Sequence, residues 1–291
     1  MHMTEFNVVL VDDEPDVHEI TRQALRNLRI YGLPVRLLSA ASKAEGIELL
    51  NSLTLGLADI SMAQVAIIDV VMETDHAGLE LCAHIREVMK NRSMQLYVRT
   101  GQPGVAPERS VIDRYDLQGY LAKSEATEDK LYTLVKAGVR QSWYTAVSRA
   151  LQDLLHCLIQ SGSSREHITA ALQAWQRLTR PDPAGERTAW LRFASCYMVD
   201  HQYLDGRHEW SDAAVALQRR DELVALPATT INDDGDRVTM NGTDFLIQIA
   251  PTTANAAMQY MLRGTVPAPD WEVALYHAFL RSFAALWKQA A

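Results

Sequence analysis

Val8-Val9-Leu10-Val11 runs without interruption into Asp12-Asp13. An unbroken apolar run of this kind suits a parallel strand covered on both faces rather than a half-exposed one. The same pattern recurs along the first half of the chain. Val65-Ala66-Ile67-Ile68 ends in Asp69, Met94 to Val98 leads to Thr100-Gly101, and Gly119-Tyr120-Leu121-Ala122 stops at Lys123. Val35 to Ser39 supplies the remaining strand. Helical periods separate these runs. Asp16 to Arg29 carries Val17, Ile20, Ala24, Leu25 and Leu28 on one face, and Ser42 offers an N-cap for a helix to about Leu53. Further helices are expected from about Ala77 to Lys90 and around Pro107 to Tyr115. Strands alternating with helices predict an α/β fold: a flavodoxin-like, doubly wound, five-stranded parallel sheet joined by right-handed crossovers.

Such a sheet gathers the carboxyl ends of its strands on one edge, where ligands bind. Asp12, Asp13, Asp69, Thr100 and Lys123 each sit just past a strand, so all five are expected on that edge. Mg²⁺ wants hard oxygen ligands and keeps several waters. Asp13 and Asp69 supply carboxylates for it, Asp12 holds a coordinated water, and the backbone carbonyl of Val71 is the candidate for a further oxygen. Asp69 is then the nucleophile that takes a phosphoryl group as an acyl phosphate. Lys123 neutralises charge on the transferring group, and the Thr100 hydroxyl binds one of its oxygens. Tyr120, three residues before Lys123, changes rotamer as Thr100 moves inward. Each of these residues alone reads as a turn, a strand cap or a surface lysine. Their occurrence together, in order, is what points to phosphoryl chemistry.

The composition fits this assignment. The chain has 291 residues, enough for two domains, with 48% hydrophobic and 22% charged residues. A net charge of -8 argues against broad binding to nucleic acid or anionic lipid. Cys82, Cys157 and Cys196 are widely spaced without a CxxC pair, which reads as reduced core cysteine. No apolar stretch is long enough to span a bilayer, and Met1 to Asn7 lacks a signal h-region, so the expected location is cytoplasmic.

The first half resembles the receiver domain of bacterial response regulators. The resemblance is carried by Val8-Val-Leu-Val-Asp-Asp-Glu-Pro15, Ile67-Ile-Asp-Val-Val-Met72, Arg99-Thr-Gly101 and Tyr120-Leu-Ala-Lys123, and covers roughly residues 5 to 140. It implies phosphorylation of Asp69 by a sensor histidine kinase or phosphotransfer protein, with Mg²⁺ as cofactor. Two departures stand out. The family has Met-Pro after the acceptor and a glycine eight positions on, whereas Met72 is followed by Glu73 and Gly78 is nine positions on. The family's Lys-Pro is Lys123-Ser124 here. The stretches Val70 to Gly78 and Arg99 to Gly104 resemble a narrower subgroup, in which the receiver precedes an uncharacterised GAF-like region. Some members of that subgroup continue into an HD-GYP phosphodiesterase.

From Thr127 an uninterrupted helical period runs to about Gln160, with apolar positions from Leu131 to Leu158 and Gly138 as its weak point. This is either a coiled-coil seam with a second copy, favouring a homodimer, or a helix packed on its own chain. Beyond it, Ser164 caps a helix to about Leu178, and Pro181 to Gly185 is a loop. Strands are expected at Trp190 to Met198 and Tyr203 to Trp210, joined at Asp200-His-Gln. Ser211-Asp212 caps a helix to about Leu226, and Asn232-Asp-Asp-Gly235 is a turn. Strands then follow at Arg237 to Met240, Phe245 to Ile249 and Ala256 to Leu262, with an Asn241-Gly242 hairpin. Asp270 caps a last helix, Trp271 to Trp287. This element order resembles a GAF or PAS-like α+β domain with an antiparallel sheet. The domain limits read 1–126, 127–161 and 162–291.

No HD pair, GGDEF or EAL string, Walker loop or basic recognition helix occurs in the second half, so neither an enzyme nor a DNA-binding output is expected there. His201, Asp205, His208 and Glu209 read as a solvated hairpin face sooner than as a metal set. Met240, Phe245, Met258 and Met261 suit either a ligand pocket or simple packing. His156 lacks the acidic neighbour of a phosphotransfer histidine. The expected output is protein–protein contact or dimer rearrangement with an unnamed downstream protein. The rival is a small-molecule sensor modulated by phosphorylation.

Overall fold

The computed structural model of the protein describes residues 5–53, 63–101, 108–125, 127–162, 164–178 and 192–290. Pro107, the Pro181 to Gly185 loop and Trp190 lie outside these residues. The chain divides into two compact units, which among the described residues are 5–146 and 147–290.

The first unit contains β1 (Phe6–Val11), α1 (Pro15–Leu25), β2 (Arg29–Ile30), β3 (Leu33–Ala40), α2 (Lys43–Ser52), β4 (Ala63–Asp69), α3 (Ala77–Ala83), β5 (Gln95–Thr100), α4 (Glu108–Tyr115) and β6 (Gly119–Ala122), and the start of α5 (Glu128–Gln160). The sheet order is β2-β3-β1-β4-β5-β6, parallel except for β2. Without β2, the strands stand in the flavodoxin-like order second-first-third-fourth-fifth, which reverses direction between β1 and β4. The central strands are buried along their length, as their continuous apolar runs require. Pro15 opens α1 where its missing N–H costs nothing, and the Ser42 hydroxyl accepts the Glu45 backbone N–H at the start of α2.

Three local features depart from the sequence reading. The helix expected to reach Arg29 ends at Leu25, and Arg29–Ile30 pairs back on β3. The turn is Tyr31 (φ 52°) and Gly32 (φ 87°), both left-handed as a two-residue I′ turn requires. Secondly, α3 widens into a π-turn over His84–Val88, which brings Arg86 inside. Its guanidinium donates to the carbonyls of Asn91 (2.7 Å), Met94 (3.0 Å) and Asp116 (2.9 Å). Thirdly, α5 does not break at Gly138. A Cβ there would stand 2.8 Å from Val65 and 3.1 Å from the Tyr97 ring, so glycine lets the helix lie against β4 and β5. Leu131, Val135, Val139, Trp143, Val147, Leu154 and Leu158 are buried. These seven positions of the stripe are buried within a single chain, while Leu134, Leu151 and Leu155 are partly exposed.

The second unit contains the rest of α5, α6 (Arg165–Leu178), β7 (Arg192–Val199), β8 (Gln202–Arg207), α7 (Ala213–Val224), β9 (Thr229–Thr230), β10 (Arg237–Asn241), β11 (Asp244–Ile249), β12 (Met258–Gly264) and α8 (Asp270–Gln289). Its sheet is antiparallel throughout, in the order β8-β7-β12-β11-β10-β9. Ala216 and Leu223 of α7 pack on Cys196, Met198, Leu246 and Met261. Phe279 and Phe283 of α8 meet Tyr197, whose side chain leaves β7 on the opposite face from Cys196 and Met198. The β7–β8 turn uses Asp200 (φ 47°) and His201 (φ 65°). The strand expected to reach Trp210 ends at Arg207, because the chain folds back on itself. The Trp210 carbonyl lies where a Cβ on Gly206 would be 2.0 Å away. Asp212 caps α7 through the Ala214 N–H at 2.8 Å, whereas Asp270 is the first residue of α8 and no cap.

Candidate functional site

β1 and β4 are neighbours that end side by side, and the chain turns opposite ways from them. This switch point is where an open α/β sheet leaves a crevice. Asp12 follows β1 and is fully buried, while Asp13 and Glu14 beside it are exposed. Asp69 ends β4 and is 3% exposed. Oxygens from Asp12, Asp13, Glu14 and Asp69 all lie within 4.8 Å of one another, the one such group of potential metal ligands among the described residues. Lys123 leaves β6 and reaches across the edge. Its Nζ stands 2.7 Å from Asp69 Oδ2, 2.8 Å from Glu14 Oε1 and 3.2 Å from Asp12 Oδ1.

The electrostatics follow from burial and crowding. Burial raises the Asp69 pKa and the Asp12 charge adds to it, outweighing the Lys123 hydrogen bond. Burial would lower the Lys123 pKa, but its bonds to Asp69 and Glu14 and the nearby Asp12 charge carry it upward. The Lys123 hydrogen bond lowers the pKa of Glu14. Asp12 Oδ2 and Asp69 Oδ1 are buried and accept no hydrogen bond. Two such oxygens within a carboxylate cluster suit a hard divalent cation. No donor among the described residues occupies the Val71 carbonyl, and the Val71 side chain is half-buried against the core.

Thr100 is 1% exposed at the end of β5, paired with Ala122. Tyr120, two residues earlier on β6, is half-buried on the same sheet face. The edge thus brings Asp12, Asp13, Asp69 and Lys123 together and places Thr100 and Tyr120 on the strands beside them.

Two residues escaped the sequence reading. Glu14 completes the grip on Lys123, and the only signal for it was a third acid following Asp12-Asp13. Arg99 pairs in register with Asp69, is 3% exposed, and donates Nη1 to Thr21 Oγ1 at 3.0 Å. Its Nε has no partner, and its charge is felt by Asp12, Asp69 and Glu14. Four carboxylates therefore face two cations, which leaves the cluster an excess of negative charge.

The loop after Asp69 is one residue longer than the receiver pattern but closes tightly. Gly78 N–H donates to the Val70 carbonyl at 3.1 Å, and Met72 N–H to Thr74 at 3.2 Å. Glu73 turns outward, accepting the Lys43 backbone N–H at 3.1 Å.

Among the described residues, the second unit assembles no comparable group. His201, Asp205, His208 and Glu209 do not form a metal set, and Glu209 pairs with Arg263. Cys196 is fully buried, and burial pushes its thiol up to about 12. Met240 is 42% exposed, while Phe245, Met258 and Met261 are fully buried. His156 is exposed. No helix among the described residues is long and apolar enough to cross a membrane.

No family model matches the chain. It is 42% identical over 141 residues to the 3′3′-cGAMP-specific phosphodiesterase 2 of Vibrio cholerae, a match covering 48% of this chain and 26% of that protein. The chain thus spans about a quarter of the length of the curated relative it matches. Among solved structures, a putative response regulator from Chloroflexus aurantiacus is 21% identical at a TM-score of 0.38, covering 47% of this chain and 98% of that one. The signal receiver domain of an HD domain-containing protein from Pseudomonas fluorescens is 19% identical at a TM-score of 0.39, covering 47% and 95%.

Proposed function

We propose that the protein is a two-component response regulator whose Asp69 accepts a phosphoryl group from a sensor histidine kinase or phosphotransfer protein. The observation that carries this reading is the Lys123 ammonium held among Asp12, Glu14 and Asp69, beside two buried carboxylate oxygens without partners. An Asp69 carboxylate oxygen attacks the phosphorus of a phosphohistidine, the P–N bond breaks, and the imidazole leaves with its electron pair. Lys123 holds Asp69 in place and offsets charge on the equatorial oxygens. Asp12, Asp13, Asp69 and the Val71 carbonyl would hold Mg²⁺, which supplies charge neutralisation at the phosphoryl oxygens when bound. The Thr100 hydroxyl donates to a phosphoryl oxygen, and Tyr120 follows it inward.

The second unit acts as a non-catalytic, GAF-like output module, through protein–protein contact or rearrangement of a homodimer. Its support is the antiparallel sheet with β7 beside β12, flanked by α7 and α8, together with the lack of HD, GGDEF, EAL or Walker strings. A second reading makes this unit a small-molecule sensor that phosphorylation modulates. It is favoured by a cleft of about 470 Å³ beside β10, β11 and β12.

Wild-type protein should take up phosphate from acetyl phosphate only when Mg²⁺ is present. Lys123→Met should slow labelling by about a hundredfold, as loss of one preorganised charge does at such sites. Labelling that is indifferent to Mg²⁺, or as fast in the variant, would sink the reading.

A further inference from the structure

The face of the second sheet under α7 is apolar along Ala194, Cys196, Leu246 and Met261, but one rung of it is not. There the register sets Arg237 of β10 opposite Gln248 of β11, and Gln248 opposite Gln259 of β12. α7 ends at Val224. The polar rung lines a cleft of about 470 Å³, with Leu226 and Met258 as apolar wall and His201 also on its lining. No carboxylate lines it among the described residues, in a chain whose net charge is -8.

Most of the polar groups here face solvent and are not tied to carboxylates. Arg219, Arg263 and Arg281 of the same unit each grip carboxylates. Arg237 makes no ion pair or side-chain hydrogen bond among the described residues, and neither do the Gln248 amide or the His201 ring. Gln259 is 5% exposed, and its Oε1 is met only by Arg220 at a long 3.4 Å. An exposed guanidinium and a half-buried amide without protein partners, above a buried amide, offer a solvated donor and acceptor set that a ligand can engage.

We propose that this cleft binds a small organic phosphate whose body presents a planar hydrogen-bonding edge, the class represented by a nucleoside monophosphate. Arg237 matches a phosphate through its planar fork of donors. Side-by-side glutamine amides present donor and acceptor together, the pattern that reads a heterocycle edge. The volume lies in the range of small-molecule sites and is far larger than inorganic phosphate needs. This deepens the sensor reading of the second unit and is independent of Asp69, so the two fail separately.

The test is titration calorimetry of the full chain with AMP, with adenosine and inorganic phosphate as its two halves. AMP should bind wild type and Asp69→Asn alike, and each half more weakly. Arg237→Gln, at an exposed position, should keep the melting temperature and bind AMP about tenfold more weakly. Gln248→Leu should weaken adenosine and AMP together. Absence of AMP binding to wild type at millimolar concentration would overturn the proposal. So would unchanged AMP affinity in Arg237→Gln, or either half binding as tightly as AMP.

Discussion

Gly78→Ala is expected to destabilise the first unit by about 3 kcal/mol, the upper end for forced overpacking. A Cβ at this position would lie 1.7 Å from the Asp69 carbonyl oxygen and 2.7 Å from its carbon. Both obstacles are backbone, so no rotamer change relieves them. The Gly78 N–H to Val70 bond and the end of β4 must give way instead. For a unit of this size the melting temperature should fall by roughly 10 °C. The same shift moves Asp69, so phosphoryl uptake should drop in whatever fraction remains folded. Circular dichroism melts of wild type and variant decide the matter, and equal melting temperatures would refute the close approach. The glycine also explains how a loop one residue longer than the receiver pattern still closes: the chain crosses the Asp69 backbone where only hydrogen fits.

The largest effect in the second unit is expected at Asp236, which is fully buried in the loop before β10. Its Oδ2 accepts from His277 at 2.8 Å, Arg281 at 2.9 Å and Asn232 at 2.8 Å, and its Oδ1 from the Ala250 N–H at 2.9 Å. Burial raises its pKa, but the His277, Ala250 and Asn232 bonds and the Arg281 charge outweigh that and hold it below the usual carboxylate range. Asp236→Ala strands all four donors. The cost should be about 3 kcal/mol, the low end for breaking a buried pair, because the Arg281 side chain is 30% exposed and regains water. The sign of the pH effect follows from the lowered pKa. The carboxylate contributes its stability above the unfolded value of about 3.9, and loses it as pH falls through the folded value. Urea melts should show a constant gap between wild type and Asp236→Asn at neutral pH that narrows below about pH 4. A gap that widens in acid would contradict this account of the network.

The strands and their chemistry were legible because one cause dictates both. A parallel strand covered on two faces must be continuously apolar, so the polar residue ending each run marks the edge where ligands bind. Asp12, Asp69 and Lys123 stand together for that reason. What stayed illegible depends on approaches between segments far apart in sequence. Arg99 reads as a polar break in β5, and only the register with Asp69 shows that its charge lies beneath the carboxylates. Arg86 reads as an exposed helix position until the π-turn swings it inward. Tyr31 at positive φ and the fold-back over Gly206 leave no periodic trace. In the second unit, the turn at Asn232 to Gly235 and the Asn241-Gly242 hairpin bracketed the strands, but the rung joining Arg237, Gln248 and Gln259 exists only once three strands are in register.

The central claim is that one side chain, Asp69, takes the phosphoryl group. Peptide-level mass spectrometry of protein treated with acetyl phosphate and Mg²⁺ tests it most directly. The account predicts a single phosphoryl group on the peptide carrying Asp69, and none in Asp69→Asn with Asp12, Asp13 and Lys123 intact. Phosphate on another peptide, or equal labelling of Asp69→Asn, would contradict it.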